Sequence, residues 1–574
     1  MMKIPYITDN RKSFLFTVLL TTFSLFMQAQ PCLVRHGASA RLVIDGHPML
    51  ILGGELSNSA ATCTADIDEV LPRMAALGLN TVLVPAQWDL TEPVEGQFDF
   101  TLIDRTIQQA RKNGLKVIFL WFGAWKNSMS CYAPEWVKTD TKRFPRSMTS
   151  DGKPLEIASV FSENVFQSDN RAFGRFMRHI SEIDKQEQTV VMMQVENEIG
   201  MLEEARDHSP MAEKLFQGKV PHELVDYLKS HKKSLHEHIR NKFSGKEGTW
   251  TEVFGDDIYT DEIFMAYHYA RYVNRLAETA RSIYDIPLYV NAAMNSRGRQ
   301  PGEYPSAGPL AHLKDIWHCG APLIDFLAPD IYDTGFKGWA SQYALDDNPL
   351  FIPESRCCAN SGVRALYAIG EHDALGFSPF AIDQADEIET QHVTHSYALL
   401  SQLSRLMEKH RGKGMRQWGV LFDQEDKERI IFDETTALTC RHYFTLPWDP
   451  RATDGSQWQE GGAAILRLSK NEYIIAGSGV VVSFQTTTEK QQTETKLLGE
   501  DGFANAGTGI NKKSKPSHFV GKCLGISHVD EINIDEEGNM NYIRRNNGDQ
   551  DHQGRHARIS VGEYKILHVK LYEY

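Results

Sequence analysis

The sequence predicts an α/β protein, a (β/α)8 TIM barrel with a C-terminal all-β, sandwich-like domain. Three observations predict it. Between residues 49 and 377, eight short apolar runs alternate with helical patterns. Most of those runs are apolar throughout, as strands buried on both faces of a parallel sheet are. Beyond residue 411 the chain turns to short alternating runs parted by Gly and Asn turns, the pattern of β structure. A doubly wound open sheet is the alternative for the first part, but no Gly-x-Gly-x-x-Gly strand–helix junction supports it.

Residues 1–30 read as an export leader. Lys3, Arg11 and Lys12 precede a largely apolar stretch over 14–27, too short for the ~20 residues that span a bilayer. Gln30 and Pro31 before Cys32 do not suit lipid attachment, so the expectation is an exported chain, periplasmic or extracellular, without a membrane span. Residues 31–410 then form the barrel. Its strands are expected at 49–52, 81–84, 117–120, 190–195, 288–290, 324–328, 350–352 and 374–377. Val70, Leu71, Met74 and Leu77 recur at helical spacing, with Pro72 in the first turn and Gly78 as the stop. Thr101 caps the next helix, which Asn113-Gly114 ends. Further helices are expected at 171–183, 262–284 and 389–410.

The C-terminal domain is expected over 411–574, from the runs at 463–468, 473–476, 480–484 and 564–574, with long polar loops within 486–530. Apolar residues at 41% and charged residues at 24% exclude a disordered chain. The net charge of −14, with no strongly basic run, excludes nucleic acid as a partner. Eight cysteines without a Cys-x-x-Cys pair point to neither zinc nor redox work, and leave room for one or two bridges.

In a barrel of this kind the site lies where the strands end. The residues there are Glu55; Trp88, Asp89 and Glu92; Trp121 and Trp125; Asn197 and Glu198; Asn291; Asp330 and Tyr332; and Glu354. Neither a metal cluster nor a Ser-His-Asp set is among them, and His268 reads as helix packing. Two apolar strands each deliver a carboxylate, Glu198 and Glu354, three units apart. Facing carboxylates are what cleavage of a glycosidic bond requires, one to protonate the leaving oxygen and one on the other side of the anomeric carbon. That chemistry needs no cofactor.

The segment Gln194-Val195-Glu196-Asn197-Glu198-Ile199-Gly200 resembles the Gln-Ile-Glu-Asn-Glu-Tyr-Gly segment of glycoside hydrolase family 35, a β-galactosidase family. Trp88-Asp89-Leu90-Thr91-Glu92-Pro93 with Gly96-Gln97-Phe98-Asp99-Phe100 resembles that family's Trp-Asn-x-His-Glu-Pro…Gly-x-Phe-Asp-Phe stretch. The likeness covers residues 45–200 well and the rest of the barrel loosely. It implies a retaining exo-β-galactosidase acting on oligo- or polysaccharides, with Glu198 as acid/base and Glu354 as nucleophile. It also implies substrate contacts from Asn197, with Tyr332 donating to Glu354. Trp88, Trp125, Glu92, Asn291 and Glu55 are further candidates for the sugar pocket. The third-strand loop departs from the family: Leu120-Trp121-Phe122-Gly123-Ala124-Trp125 stands where Arg-Pro-Gly-Pro-Tyr is usual, and Thr91 replaces the histidine. The catalytic pair therefore matches better than the galactose pocket. Two rival readings are a retaining barrel glycosidase for another sugar (β-glucoside, β-mannoside or α-L-arabinoside) and a non-catalytic glycan-binding protein. Linkage preference and oligomeric state are not legible.

Overall fold

A computed structural model describes residues 30–37, 39–295, 298–492 and 519–574. The expected leader, apart from Gln30, and the centre of the polar stretch within 486–530 lie outside the described residues.

Eight strands form the barrel: β1 (Ile51–Glu55), β2 (Thr81–Gln87), β3 (Lys116–Lys126), β4 (Val190–Asn197), β5 (Leu288–Ala293), β6 (Phe326–Ile331), β7 (Glu354–Ser355) and β8 (Gly376–Phe377). They run parallel in the order β7-β6-β5-β4-β3-β2-β1-β8. Bridges from Ile352 to Phe377 and from Arg356 to Phe380 close the ring. The main helix after each strand is, in turn, α1 (Thr64–Ala76), α2 (Thr101–Lys112), α3 (Glu163–Asp184), α4 (Ile258–Ile283), α5 (Lys314–Gly320), α6 (Phe336–Tyr343), α7 (Ser361–His372) and α8 (Glu387–His410).

Most expected elements shift only at their ends. Two shifts have a physical cause. Helix α1 starts at Thr64, so Pro72 lies inside it rather than in its first turn; the buried stripe Ile67, Leu71 and Met74 outweighs one missing backbone donor. Leu350, Phe351 and Ile352 are buried as expected, but the ladder to β6 forms later, at Glu354 and Ser355. The apolar run is thus the entry to β7, and the paired residues are the polar ones.

A small three-stranded antiparallel sheet unforeseen in the sequence precedes the barrel. Ser39–Ile44 pairs with Cys32–His36 and with His47–Met49. Its Ala40, Leu42 and Ile44 pack with Ile51, Leu83, Ile118, Phe122, Val191, Tyr289, Phe326 and Phe351 in one cluster. These apolar residues fill the barrel at the end where the strands begin, so polar groups gather at the opposite end.

The C-terminal region is two facing antiparallel sheets. One has six strands, built from Arg416–Phe422, Gly461–Ser469, Glu472–Ser478, Leu524–Ile534, Met540–Asn546 and Lys565–Glu573. The other has four, from Glu428–Asp433, Thr436–His442, Val480–Thr486 and Ala557–Ile559. Alternation sorts the six-stranded sheet's side chains: Ala463, Ile465, Tyr473 and Ile475 face the sandwich core, while Ala464, Leu466, Ile474 and Ala476 join the barrel's core. Helix α7 fits closely there because Gly370 has no Cβ, which would lie 2.8 Å from the Trp418 carbonyl. Arg364 to Glu460 and Arg429 to Glu371 are two-point ion pairs across the same joint. All eight cysteines are free, so no bridge forms.

Candidate active site

The end of β4 carries the densest chemistry. Val190 to Asn197 are all buried, and Glu196 and Glu198 adopt φ of +61° and +43°. Left-handed backbone at two non-glycine residues is costly and persists only where surroundings hold it. Those surroundings are visible. The Glu198 N–H donates to Asn291 Oδ1 on β5 at 3.0 Å, and the Asn127 amide donates to Glu198 Oε2. Glu196 turns away from the rim: its Oε2 accepts the Trp125 N–H at 2.9 Å. Glu196 is also hydrogen-bonded to the buried Asp169 of α3, and burial, then Asp169, raises its carboxyl well above the usual range. Asp169 is held in turn by the Trp121 indole at 2.9 Å and the Tyr272 hydroxyl at 2.7 Å.

Glu354 faces Glu198 across the rim. Its Oε2 accepts the Tyr332 hydroxyl at 2.8 Å, and its Oε1 receives the amides of Asn197 and Asn291, each at 3.3 Å. One oxygen from each of Glu198, Asp330 and Glu354 lies within 4.8 Å of the others. Burial first, and then the charge of Glu354, push the Glu198 carboxyl up to about 7, against the opposing pull of Lys126. Burial, then Glu354, keeps the Tyr332 phenol protonated and therefore a donor. Glu55, fully buried at the end of β1, is raised well above the usual range by burial and then by Glu354.

Glu198, Asp330, Tyr332 and Glu354 open on a cavity of about 460 Å³, a size suited to a small-molecule site. Its walls include Asn127, Glu198, Asp330, Tyr332, Glu354 and Phe380. Lys126 also lines it. Its buried ammonium lies among Glu354, Glu198, Glu55 and Asp330, whose charges raise it above the ordinary lysine range although burial opposes them. Lys126 arrives there because β3 bulges. Trp121 pairs with Val195 and Lys126 with Asn197, so residues 122–125 bulge out of the ladder with β4, while Phe122 stays paired with Gln87 of β2.

Of the residues expected from the sequence, Glu198, Glu354 and Tyr332 line the cavity, and Asn197, Asn291 and Glu55 are buried beside Glu354 without lining it. Three expected sugar contacts stand elsewhere and do not line the cavity. Trp88 is fully buried, crosses Trp136 edge-on and donates to Glu92 Oε2 at 3.0 Å. Glu92 is also fully buried, and its Oε1 takes the Gly96 N–H and Arg171, both at 2.8 Å. Trp125 packs edge-on against Tyr269 and Tyr272, on the α4 side of the bulge. Arg356 is exposed, and His268 sits among Phe161, Phe264 and Trp250 as helix packing. Lys126, Asn127 and Phe380 were not anticipated. Lys126 and Asn127 directly follow a strand, but only the bulge shows that they reach the rim.

Two groups come near metal-binding spacing among the described residues. Glu198, Asp330 and Glu354 already have a cation in Lys126. In the second, His528, Asp530 and His568, Arg545 holds Asp530 and Glu472 holds His568.

Fold and site together define a (β/α)8 barrel with a buried carboxylate pair at its C-terminal rim. Residues 61–255 match the glycoside hydrolase family 42 model, described as β-galactosidase. Residues 393–558 match a domain of unknown function, DUF5597. The family 35 assignment is not confirmed, because the matching model belongs to a different family. No curated protein sequence matches the chain. Among solved structures, the chain is similar to a β-galactosidase from the psychrophilic Marinomonas ef1, at 12% identity and TM-score 0.43, covering 62% of this chain and 60% of that one. A β-galactosidase from Bacillus circulans sp. alkalophilus gives 16% identity and TM-score 0.43 over 62% and 56%. A polyextremophilic β-galactosidase from the Antarctic haloarchaeon Halorubrum lacusprofundi gives 16% and 0.39 over 62% and 58%. The chain thus spans less than two thirds of each. No helix among the described residues is long and apolar enough to cross a membrane.

Proposed function

We propose that the chain is an exported, retaining, exo-acting glycoside hydrolase that releases terminal β-galactose from oligo- or polysaccharide glycans. One observation carries the reading: Glu198 and Glu354 hold carboxyl oxygens within 4.8 Å of each other in a cavity at the barrel rim. A retaining pair stands about 5–5.5 Å apart, whereas an inverting pair needs about 6.5–9.5 Å for an intervening water.

In this reading Glu354 is the nucleophile. Tyr332, Asn197 and Asn291 donate to its oxygens and fix the direction in which it faces the cavity. Glu198, raised to about 7, carries the proton that the leaving oxygen takes as Glu354 bonds to the anomeric carbon. Once Glu354 is an ester its charge is gone, and Glu198 no longer feels that repulsion. Its pKa falls, and as the anion it takes a proton from water, which attacks the anomeric carbon and frees Glu354. Asn197 is the residue best placed to bind a sugar hydroxyl beside the bond, since its Oδ1 is buried without a partner.

The altered β3 bulge supports a second reading, the same mechanism on another terminal sugar. Here Lys126 and Asn127, rather than a tryptophan, face the cavity. Nitrophenyl β- and α-glycosides assayed with wild type and Glu354→Ala separate the readings. β-Galactoside hydrolysis, lost in the variant and returned by azide as the inverted adduct, supports galactose and the nucleophile. Hydrolysis of another glycoside alone moves the specificity. Silence on nitrophenyl substrates and on polysaccharide fragments favours a glycan-binding protein.

A further inference from the structure

The rim holds more carboxyl groups than double displacement uses. Glu198 faces Glu55 from β1, Lys126 from β3, Asp330 from β6 and Glu354 from β7; Tyr304, Tyr332, Arg299 and Asp333 complete the charged and titratable lining. Asp330 has no part in the chemistry above, yet it is 1% exposed and touches the acid/base. Asn291 ties the two together. Its Oδ1 accepts the Glu198 N–H at 3.0 Å, while its Nδ2 donates to Asp330 Oδ2 at 2.8 Å. That leaves Asp330 Oδ1 without any donor, while Asp330 lines the cavity with one carboxyl oxygen within 4.8 Å of a Glu198 oxygen. An ionised Oδ1 there would be a buried anion between two other carboxylates. A protonated Oδ1 is instead a hydrogen-bond donor with an acceptor in front of it.

We propose that Asp330 is a positioning residue for Glu198: a neutral carboxylic acid whose Oδ1–H donates to the Glu198 carboxyl and holds it toward the leaving oxygen. The inference rests on the assignment of Glu198 as acid/base. Burial, and then the charges of Glu354 and Glu198, raise Asp330 well above the usual carboxylate range, which is consistent with its neutrality. The donor has its largest effect when Glu198 is an anion, that is, while it acts as base toward water. Asp330 thereby offsets part of the penalty that burial imposes on the ionised Glu198.

The test turns on Asp330→Asn and Asp330→Ala. Asparagine presents an N–H where the neutral acid presents O–H, and it carries no charge. In the pH dependence of kcat/KM, Asp330→Asn should leave the basic limb in place. Asp330→Ala removes the donor and should move that limb up by about half a unit or more. If Asp330 is ionised, Asp330→Asn deletes a negative charge beside Glu198, and the limb drops by about one unit. That drop overturns the proposal, as does an unmoved limb in Asp330→Ala. A second readout needs no substrate: in protein labelled with 13C at the glutamate carboxyls, the resonance titrating near 7 and missing from Glu198→Gln should show the same pattern. A wild type that hydrolyses no glycoside would defeat the proposed function, while the carboxyl titration would still decide the Asp330–Glu198 contact.

Discussion

Glu92 separates a sugar-binding role from a structural one most sharply. In Glu92→Ala, three groups lose their acceptor. The Trp88 indole N–H is 0% exposed and cannot recover it from water, which costs about 1–3 kcal/mol. Gly96 is exposed and can rehydrate its N–H. Arg171, with its side chain 38% exposed, also rehydrates and keeps Glu95 at 3.9 Å, so its share is at most about 1 kcal/mol. A void beneath Trp88 adds about another 1 kcal/mol. The expected loss is therefore about 3 kcal/mol, read as a lower denaturant midpoint in the transition that reports the barrel. KM for the preferred glycoside should stay within about twofold while the protein is folded. Glu92→Gln keeps the volume and one acceptor, so its midpoint should fall between the two. An unchanged midpoint in Glu92→Ala with a tenfold rise in KM would refute the reasoning and return Glu92 to the sugar pocket.

The catalytic assignment has its own consequences. Tyr332→Phe removes a 2.8 Å donor from the Glu354 carboxylate, worth about 1.5–3 kcal/mol, so kcat/KM should fall roughly 10- to 150-fold with the unfolding midpoint nearly unchanged. Glu198 must carry its proton to act as acid, and with a value raised to about 7 it does so below that pH; kcat/KM should decline above pH 7, and a flat profile to pH 9 would reject the assignment. Glu55 is raised, so the folded state keeps a proton that the unfolded chain loses as pH passes the ordinary glutamate range. Its destabilising effect therefore grows with rising pH. Glu55→Gln should accordingly gain stability over wild type between pH 5 and pH 8, checked by unfolding midpoints at both. Gly123→Ala places a Cβ 2.3 Å from the Trp121 indole nitrogen and 2.7 Å from carboxyl oxygens of Asp169 and Glu196; a loss of about 1–3 kcal/mol is expected by denaturant unfolding.

The barrel was legible because burial on both faces leaves strands with few polar residues, and Val190 to Met193 or Val117 to Leu120 can hardly be read otherwise. The carboxylate pair was legible for the complementary reason: Glu198 and Glu354 interrupt such runs at the rim. Where β3 ends was not legible. Residues 116–126 read as an apolar strand followed by tryptophans, and nothing local says that 122–125 leave the ladder with β4. The tryptophans accordingly looked like a sugar platform, whereas the bulge turns Trp125 into the packing against α4 and presents Lys126. Glu92 misled in the same way. A carboxylate after a strand looks available until its partners, Arg171 on α3 and the Trp88 indole, are placed beside it by the fold. The N-terminal sheet left no clear signal because Ala40, Leu42 and Ile44 form only half an alternating strand, and what they cover is assembled from all around the barrel.

The bulge and the strained backbone of β4 belong to one arrangement. A straight β4 would alternate its side chains, sending Glu196 and Glu198 to one side and Asn197 to the other. With both glutamates at positive φ that alternation fails, and Asn197 and Glu198 both reach the rim while Glu196 turns back toward α3. Strain of this kind requires an anchor, and the Glu196 carboxyl supplies it by holding the Trp125 N–H of the bulge and pairing with Asp169. The same bond fixes the last residue before Lys126. A buried acid without access to the cavity thus sets the positions of two groups that do reach it, Glu198 just past β4 and the cation Lys126 on β3. This accounts for three consecutive polar residues at the end of an apolar strand: Glu196 anchors the bulge, Asn197 donates to Glu354, and Glu198 lines the cavity.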